Sequence, residues 1–304
     1  MSRRAASLFL TLGVVWGIPY LLIKVAVDEL SPAQIVLGRT AIAALILLPL
    51  ALAQGAVRPV LRHWRWLVLF ATVEIAIPWV FLGSAETRLP SSTTGLLVAA
   101  VPLAGVLIAF ATGHAERLAP VAWLGLVLGI VGVAALVGFD VGGSDLGAVA
   151  AVGVVVVGYA AGPAILSSPL HGLPGIGIMA SALTLTAVAY VPVVLLTDGV
   201  PASLPSSDVV ASVVTLGVVC TAAAFMLLFA LVGEVGPVRV TTITYLNPAV
   251  AVVAGAVFLG EPVTVWTVIG FVLVVTGSYL VNRSGRPQPA AGAELAGETS
   301  SSCA

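Results

Sequence analysis

Residues 7–27 read SLFLTLGVVWGIPYLLIKVAV, an apolar run in which Lys24 is the one charged residue. An α-helix needs about 20 mostly apolar residues to cross a hydrocarbon core of roughly 30 Å, and this run has that length. Similar runs follow along the chain. They are continuously apolar rather than alternating, which favours helices over membrane strands. The sequence predicts an all-α integral membrane protein with ten transmembrane helices, at residues 7–27, 32–53, 64–84, 90–113, 120–138, 146–166, 172–196, 209–232, 237–259 and 263–281.

Composition supports this fold class. Hydrophobic residues make up 60% of the 304 residues and charged residues 8%, whereas a soluble domain is roughly 45–50% apolar and about 25% charged. The net charge of −1 gives no indication of a nucleic-acid partner. Cys220 and Cys303 are far apart in sequence and in expected environment, so no disulfide is predicted. No cofactor and no metal site are indicated.

The distribution of basic residues predicts the orientation. With a cytoplasmic N-terminus, the outer side receives Arg88 alone. The outer loops carry acidic residues instead. We therefore expect a multi-pass protein of the cell (inner) membrane with both termini cytoplasmic. The basic residues then assigned to the cytoplasmic side are Arg3, Arg4, Arg58, Arg62, Arg65, Arg117, Arg283 and Arg286, with Arg239 at its margin.

Small residues recur at a nearly constant offset. Gly13 and Gly17 in the first predicted helix return 145 positions later as Gly158 and Gly162. Pro102 matches Pro248, and Glu116, Gly125 and Gly132 match Glu261, Gly270 and Gly277. Because each unit has five helices, the second must be inverted in the membrane. We predict two inverted five-helix repeats, residues 1–140 and 141–282, followed by a disordered cytoplasmic tail, residues 283–304.

The chain resembles the drug/metabolite transporter superfamily, specifically its EamA-type ten-helix exporters. The motifs that carry the resemblance are Trp16-Gly17 followed by Lys24, Gly38-Arg39, the stretch from Glu86 through Ser91 and Ser92 to Pro102, Glu116-Arg117-Leu118 and Gly260-Glu261-Pro262. The resemblance implies metabolite efflux, often of amino acids or related compounds, through a central cavity between two halves. It fixes no substrate. At the constant offset, Lys24 and Glu74 match Pro169 and Val219, so the charges are not repeated.

Two charged residues fall deep within predicted helices. Arg39 and Glu74 lie at similar depth with opposite charge, so a direct pair or a water-mediated contact would lower the cost of their burial. One interpretation is a static bridge between the second and third helices. The other is that Glu74 binds a proton or the cationic group of a substrate. Lys24 lies nearer the interface, where it can reach water close to Asp28 or serve transport.

The second half offers polar residues around a proline. Thr241, Thr244, Tyr245 and Pro248 share one face of an α-helix by their spacing. Pro248 should release the carbonyl of Thr244, with Asn247 beside it, and Pro102 should release that of Val98 in the matching helix. These prolines either shape a site or serve packing only. The same alternatives hold for three aromatic residues, Trp16, Trp79 and Tyr159. Glu261, which precedes Pro262, is interpreted as the cap of its own helix.

The predicted function is secondary transport of a small molecule, with export favoured, by alternating access across the lipid bilayer. Protons are a candidate coupling ion. A channel or a non-transporting scaffold is the alternative. An intramembrane enzyme has less support because His63, His114 and His171 fall in loops and no HExxH motif occurs. The single lysine, Lys24, follows Ile23, so no Walker A motif for ATP is present.

Overall fold

The computed structural model describes residues 2–111, 120–140, 145–199, 203–236 and 240–284. Regular secondary structure within these ranges is entirely helical, without β-strands. Eight of the described helices are long and apolar enough to cross a membrane, and two further apolar helices are shorter. The chain is therefore a multi-span membrane protein. The helices are α1 (Arg3–Ala26), α2 (Pro32–Ala53), α3 (Trp64–Glu86), α4 (Ser91–Ala111), α5 (Pro120–Gly138), α6 (Leu146–Ser167), α7 (Gly175–Thr197), α8 (Ser207–Val235), α9 (Ile243–Phe258) and α10 (Val265–Val281).

Local sequence explains where α2 begins and ends. The Ser31 hydroxyl accepts a hydrogen bond from the Gln34 amide at 3.2 Å, and the Gln34 side chain accepts one from the Ser31 amide at 2.9 Å. This reciprocal capping box satisfies amides that the first helical turn leaves unpaired. At the other end, Gly55 turns the chain with a φ of 65°. The predicted bounds, residues 32–53, are confirmed.

Several helices are irregular near their middle. Helices α3 and α8 contain π-helical segments, Ala71–Ala76 and Val218–Ala223, which begin 147 positions apart. Helix α4 is interrupted between Val98 and Val101. A 3-10 helix, Thr241–Tyr245, leads into α9 and overlaps its first three residues. This explains part of its shortness, and residues 237–239 of the predicted ninth span lie outside the described ranges.

The π-helical segments correct one predicted correspondence. When Ala71–Ala76 is matched to Val218–Ala223, the position equivalent to Glu74 is Thr221 and not Val219. In this match the offset is 147 residues, compared with 145 for the glycine pairs of α1 and α6. The second half therefore has a polar side chain where the sequence offset predicted an apolar one.

The helices pack in five prominent pairs, α1 with α8, α2 with α7, α3 with α6, α4 with α9 and α5 with α10. One apolar cluster, containing Leu47, Phe70 and Leu183, joins α2, α3 and α7. A second, containing Leu96 and Leu216, joins α4 and α8 with their neighbours. Helices from the first and last parts of the chain thus share common cores.

Polar contacts near the helix ends identify the two ends of the helix bundle. At the Arg4 end, Arg4 Nη1 lies 3.3 Å from Glu234 Oε1. The opposite end, called the Lys24 end, contains the α1–α2, α3–α4, α5–α6, α7–α8 and α9–α10 junctions. The links there include Ser31 Oγ to Asp198 Oδ2 at 2.8 Å, Gln34 Nε2 to the Gly199 carbonyl at 3.1 Å, the Ser206 amide to Glu29 Oε2 at 2.8 Å, and Arg88 Nη1 to Asp145 Oδ1 at 3.8 Å.

Candidate functional site

Arg39 lies in the middle of α2 and is only 7% exposed. Its guanidinium carbon is 3.7 Å from the ring centroid of Trp79, a cation–π arrangement. Its Nε donates a hydrogen bond to Thr221 Oγ1 at 2.7 Å. Thr221 in turn donates to the Leu216 carbonyl, five residues earlier, in the wide π-helical turn. The two terminal guanidinium nitrogens make no hydrogen bond to any described residue, so the fork that binds carboxylates is available.

Aromatic residues from two other helices complete this surrounding. Tyr159 of α6 and Tyr20 of α1 lie within electrostatic range of the Arg39 guanidinium. The Trp79 indole lies beside the Tyr159 hydroxyl. We call Tyr20, Arg39, Trp79, Tyr159 and Thr221 the Arg39 cluster. Because it draws on α1, α2, α3, α6 and α8, the cluster sits where the first and last parts of the chain meet.

Glu74 lies in the π-helical segment of α3 and faces α6. Its Oε2 is buried and has no hydrogen-bond partner among the described residues. The carboxylate occupies the space that the missing side chain of Gly162 leaves, since a Cβ there would overlap it. Tyr159, one turn before Gly162, is within electrostatic range of both Glu74 and Arg39. Glu74 is therefore a second polar site beside the Arg39 cluster.

Arg39 and Glu74 do not form the direct ion pair that was one of the two predicted contacts, since no ion pair joins them among the described residues. The wider turn of the π-helix rotates Glu74 towards α6. Arg39 instead turns to α8 and stacks on Trp79. A static bridge between the two side chains thus does not account for either charge.

The other predicted site residues lie apart from this cluster. Trp16 packs edge-on against Phe225, with ring centroids 6.1 Å apart. Tyr245 donates to the Ser278 carbonyl of α10 at 3.1 Å. The Asn247 amide, with its nitrogen directed to the carbonyls of Gly13 and Ile243, joins α9 to α1. Thr244 lies in the 3-10 helix, whose three residues per turn replace the α-helical spacing predicted for this stripe.

Both predicted prolines lie just after a helix irregularity. Pro102 follows the interruption of α4, where the Ala99 and Ala100 amides bond carbonyls three residues back. The Ser278 hydroxyl of α10 donates to the Ala99 carbonyl at 2.9 Å. Pro248 is buried and follows the 3-10 helix of α9. Both helices are therefore irregular just before the proline, and a side chain of α10 bonds a backbone carbonyl at the break in α4.

Two clefts border the Lys24 end. A cleft of about 430 Å³ lies between α2, α7 and α8 and is apolar apart from Gln34. A cleft of about 420 Å³ lies beside Arg88, between α3 and α6. Neither is lined by Arg39 or Glu74. The Arg39 cluster is therefore not open to either of these clefts.

Lys24 forms hydrogen bonds at the C-terminal end of α3. Asp28, its predicted neighbour, is not one of its hydrogen-bond partners among the described residues. The Lys24 Nζ donates to the carbonyls of Glu86 and Leu89 at 2.7 and 3.0 Å. Glu86 is fully buried, and neither carboxyl oxygen has a partner among the described residues. In the sequence Glu86 lies at the end of an apolar run. That position is equally typical of a carboxylate exposed at the membrane interface, so its burial could not be predicted.

Glu261 caps a helix of the other half, which corrects the prediction that it caps its own. Its carboxylate accepts hydrogen bonds from the backbone amides of Ser91 at 2.6 Å and Ser92 at 2.9 Å. Partial burial raises the pKa of Glu261, whereas these hydrogen bonds lower it, and the net result is a pKa below its ordinary value. The matching segment, residues 116–118, lies outside the described ranges, as do residues 285–304 of the predicted tail. The first two residues of that tail, 283 and 284, continue the last helix instead of being disordered.

Buried charges within apolar helices are typical of membrane transport proteins. The sequence profile of the EamA-like transporter family matches residues 3–138 and, separately, residues 146–283. The chain belongs to this family, and it is accordingly a transporter and not an enzyme.

Related proteins carry transporter names. The chain is 28% identical over 293 residues to Uncharacterized transporter YvbV of Bacillus subtilis, with 95% of each chain covered. It is 27% identical over 281 residues to Uncharacterized inner membrane transporter YedA of Escherichia coli K12, covering 88% of this chain and 89% of that one. It is 27% identical over 288 residues to a Streptantibioticus cattleyicolor protein named Probable terminal-alkyne amino-acid exporter, covering 93% and 94%. A solved structure described as Crystal structure of protein shares the fold, with a TM-score of 0.64, 22% identity and coverage of 91% and 95%.

Proposed function

We propose that the chain is a secondary transporter that exports a small zwitterionic metabolite, an amino acid or a related compound, by alternating access. The observation that carries this proposal is a buried cation and a buried carboxylate that do not pair with each other. The terminal nitrogens of Arg39 and Oε2 of Glu74 have no hydrogen-bond partner among the described residues. A zwitterion carries the two complementary charges. Its carboxylate accepts bonds from Arg39, and its ammonium group donates to Glu74.

Energetics favour this role over a structural one. A buried charge without compensation commonly costs about 3–5 kcal/mol, and a static bridge would avoid that cost in every conformation. Arg39 and Glu74 do not compensate each other's charge by an ion pair among the described residues, so a ligand can supply the opposite charges. Tyr159, within electrostatic range of both groups, is placed to contact the middle of such a ligand. The name of the exporter relative supports an amino-acid-like substrate.

The proposed architecture is ten spans in two inverted five-helix repeats, residues 1–140 and 141–282. Two separate matches to the family profile support it. The helix pairs also support it. If each helix is replaced by its equivalent in the other repeat, the pairs α2–α7, α4–α9 and α5–α10 are unchanged, and α1–α8 becomes α3–α6. The π-helical segments also fall in equivalent helices, α3 and α8. Such repeats allow one half to rock against the other around a central site.

The proposed orientation places the Lys24 end outside and the Arg4 end in the cytoplasm. The arginine distribution supports it, since Arg88 is the basic residue predicted for the outer loops. The polar links among junctions at the Lys24 end support a conformation closed to the outside. Substrate would then enter from the cytoplasm and leave after these links break.

Ligand binding tests the zwitterion site. Thermal unfolding is measured with an amino acid, the amine that lacks its carboxylate and the acid that lacks its ammonium group. A ligand at 100 times its Kd stabilises the protein by about 2.7 kcal/mol, and we expect this from the amino acid alone. Arg39→Gln and Glu74→Gln should remove the effect, whereas Arg58→Gln, at an exposed position, should keep it. Equal stabilisation of the parent and both site variants would refute the assigned roles.

Flux in liposomes distinguishes the transporter from the channel and the scaffold. A carrier saturates with substrate concentration and shows counterflow, because each crossing requires a conformational cycle. A channel shows neither property, and a scaffold shows no flux. We expect counterflow of the stabilising amino acid with equal pH on both sides. Linear, non-exchanging flux would contradict alternating access.

A further inference from the structure

Glu86 lies in surroundings that do not suit a charged carboxylate. It is the last residue of α3, is 0% exposed, and neither of its oxygens has a hydrogen-bond partner among the described residues. The C-terminus of a helix carries partial negative charge, which repels an anion. A buried carboxylate without hydrogen bonds or a paired cation carries a large cost, and binding a proton removes that cost.

The cation nearest to Glu86 is already engaged. Lys24 donates from Nζ to the backbone carbonyls of Glu86 and Leu89. It is within electrostatic range of the Glu86 carboxyl group, yet no ion pair joins them among the described residues. Lys24 therefore holds the α3–α4 junction to α1, and it does so through the backbone.

An ionised carboxylate faces Glu86 from the other half of the chain. Glu261 is held by the amides of Ser91 and Ser92 and is within electrostatic range of Glu86. Gly255 makes room for it, since a Cβ at that position would contact both the Glu261 carboxylate and Ser91 Oγ. Two nearby carboxyl groups are thus treated differently, one stabilised as an anion and the other left without partners. Among the described residues, Tyr20 of α1 is the third titratable group within electrostatic range of Glu86, after Lys24 and Glu261.

We propose that Glu86 is a proton-binding site that is occupied when the Lys24 end closes and empty when that end opens. The inference rests on the proposed alternating access, with the Lys24 end outside. On closure a Glu86 oxygen forms an O–H bond with a proton from external hydronium, which leaves as water, and no electrons are transferred. On opening, the proton returns to water, and Lys24, freed from the carbonyls, pairs with the carboxylate. Closure therefore requires an external proton.

The proton site and the substrate site are neighbours. Tyr20 is within electrostatic range of both Glu86 and Arg39. A substrate carboxylate leaving Arg39 and a proton arriving at Glu86 both change charge around the same phenol. Proton uptake at Glu86 after substrate release would therefore make closure of the outer side depend on the external pH.

The experiment measures closure through a buried reporter. Leu89, 1% exposed, is replaced by Cys in a Cys303→Ala background, and its labelling by a charged maleimide is divided by that of Asp28→Cys, an exposed site at the same end. The ratio removes the intrinsic pH dependence of the thiol. The background protein alone gives the contribution of Cys220. All measurements use purified full-length protein without substrate, between about pH 8 and pH 5.

The closed form binds one more proton, so lowering the pH must favour closure. The labelling ratio should be constant while the open form dominates and fall about tenfold per pH unit once the closed form dominates. Glu86→Gln should give a low ratio at every pH, whereas Glu86→Asp, which keeps a titratable group, should retain the dependence. A flat ratio in the parent, or an unchanged slope in Glu86→Gln, would overturn the proposal. If amino-acid stabilisation persists in that case, the proton site alone is rejected and the transport proposal stands.

Discussion

Glu74 keeps a buried oxygen without a partner, so its removal should affect transport and stability differently. In Glu74→Gln we expect an unchanged or higher melting temperature, because an unpaired carboxylate is replaced by an uncharged isostere. Transport should fall at least about tenfold if the carboxylate supplies one hydrogen bond to a charged group. Glu234→Gln, which removes a surface ion pair at the Arg4 end, serves as the control and should transport normally. A loss of 3–5 kcal/mol in Glu74→Gln would restore the static-bridge interpretation.

Gly162 provides the space that Glu74 occupies, and α6 offers its own control. In Gly162→Ala the added Cβ overlaps the Glu74 carboxylate, and overpacking should cost about 1–3 kcal/mol. Gly153→Ala, in the same helix, meets no atom within 4 Å and should be neutral or slightly stabilising. The cost of Gly162→Ala should shrink when Glu74 is also replaced by Ala. Thermal melting of the parent, the three single variants and the Gly162→Ala, Glu74→Ala double variant measures this, and equal costs of Gly162→Ala in both backgrounds would contradict the contact.

Sequence reasoning identified charges and aromatic residues but not their partners. Arg39, Trp79 and Tyr159 were candidates, and the structure brings them together. Thr221 was missed because two positions were added to the repeat offset before α8, which a constant offset cannot reveal. Glu86 was missed because hydropathy gives depth along a helix but not which side chains face each other. Partners depend on helix rotation, which packing decides.

At the scale of elements, the breaks in α4 and α9 depend on their prolines. Pro102→Ala and Pro248→Ala return an amide donor to each helix, so stability should be unchanged or higher. Transport should fall about tenfold or more if these breaks move in the cycle. Pro49→Ala is the control, because Pro49 is exposed and α2 is regular around it. Flux and melting temperature are measured together, and normal flux in both variants would show that the breaks serve packing only.

The cap of α4 gives a pH-dependent signature. The folded pKa of Glu261 is lowered, so its contribution to stability is present above the unfolded value of about 4.3 and is lost as the pH falls through the folded value. Glu261→Gln should therefore be less stable than the parent at neutral pH, and the difference should shrink in acid. Melting curves at several pH values test this, and Asp208→Asn, exposed in the first turn of α8, is the control. A difference that stays constant with pH would exclude the charge as the cause.

Helix positions were largely predictable, whereas helix types were not. The bounds of α2 follow from a capping box, a proline and a glycine, all of which are local in sequence. The π-helical segment of α3 has no such local signal, and the 3-10 start of α9 contradicts the α-helical spacing read from its threonines. In the π-helical segment of α3 the Glu74 side chain packs into the space beside Gly162, a contact between helices that are far apart in sequence. Propensity alone therefore cannot place them.

For the whole molecule, orientation is the property most open to direct test. Leu204, in the α7–α8 junction, is 96% exposed, and Arg62 is exposed near the opposite end. In a Cys303→Ala background, Leu204→Cys should react with a membrane-impermeant thiol reagent in intact cells, and Arg62→Cys should react only after the cells are opened. Cysteines at Asp145 and Asp198 should behave like Leu204→Cys. Reversed labelling would invert the assignment of both ends.

The cap that Glu261 provides for α4 also constrains biogenesis. The ribosome synthesises α4 well before residue 261. The first backbone amides of α4 therefore have no Glu261 carboxylate to donate to when this helix reaches the membrane. Until the last two helices arrive, water must satisfy these amides, which holds the start of α4 at the membrane surface. The first half can be inserted early, but this part of it is completed only by the end of the chain. Assembly therefore finishes at α4, and a nascent protein truncated before α10 would expose this helix start to the quality-control proteases.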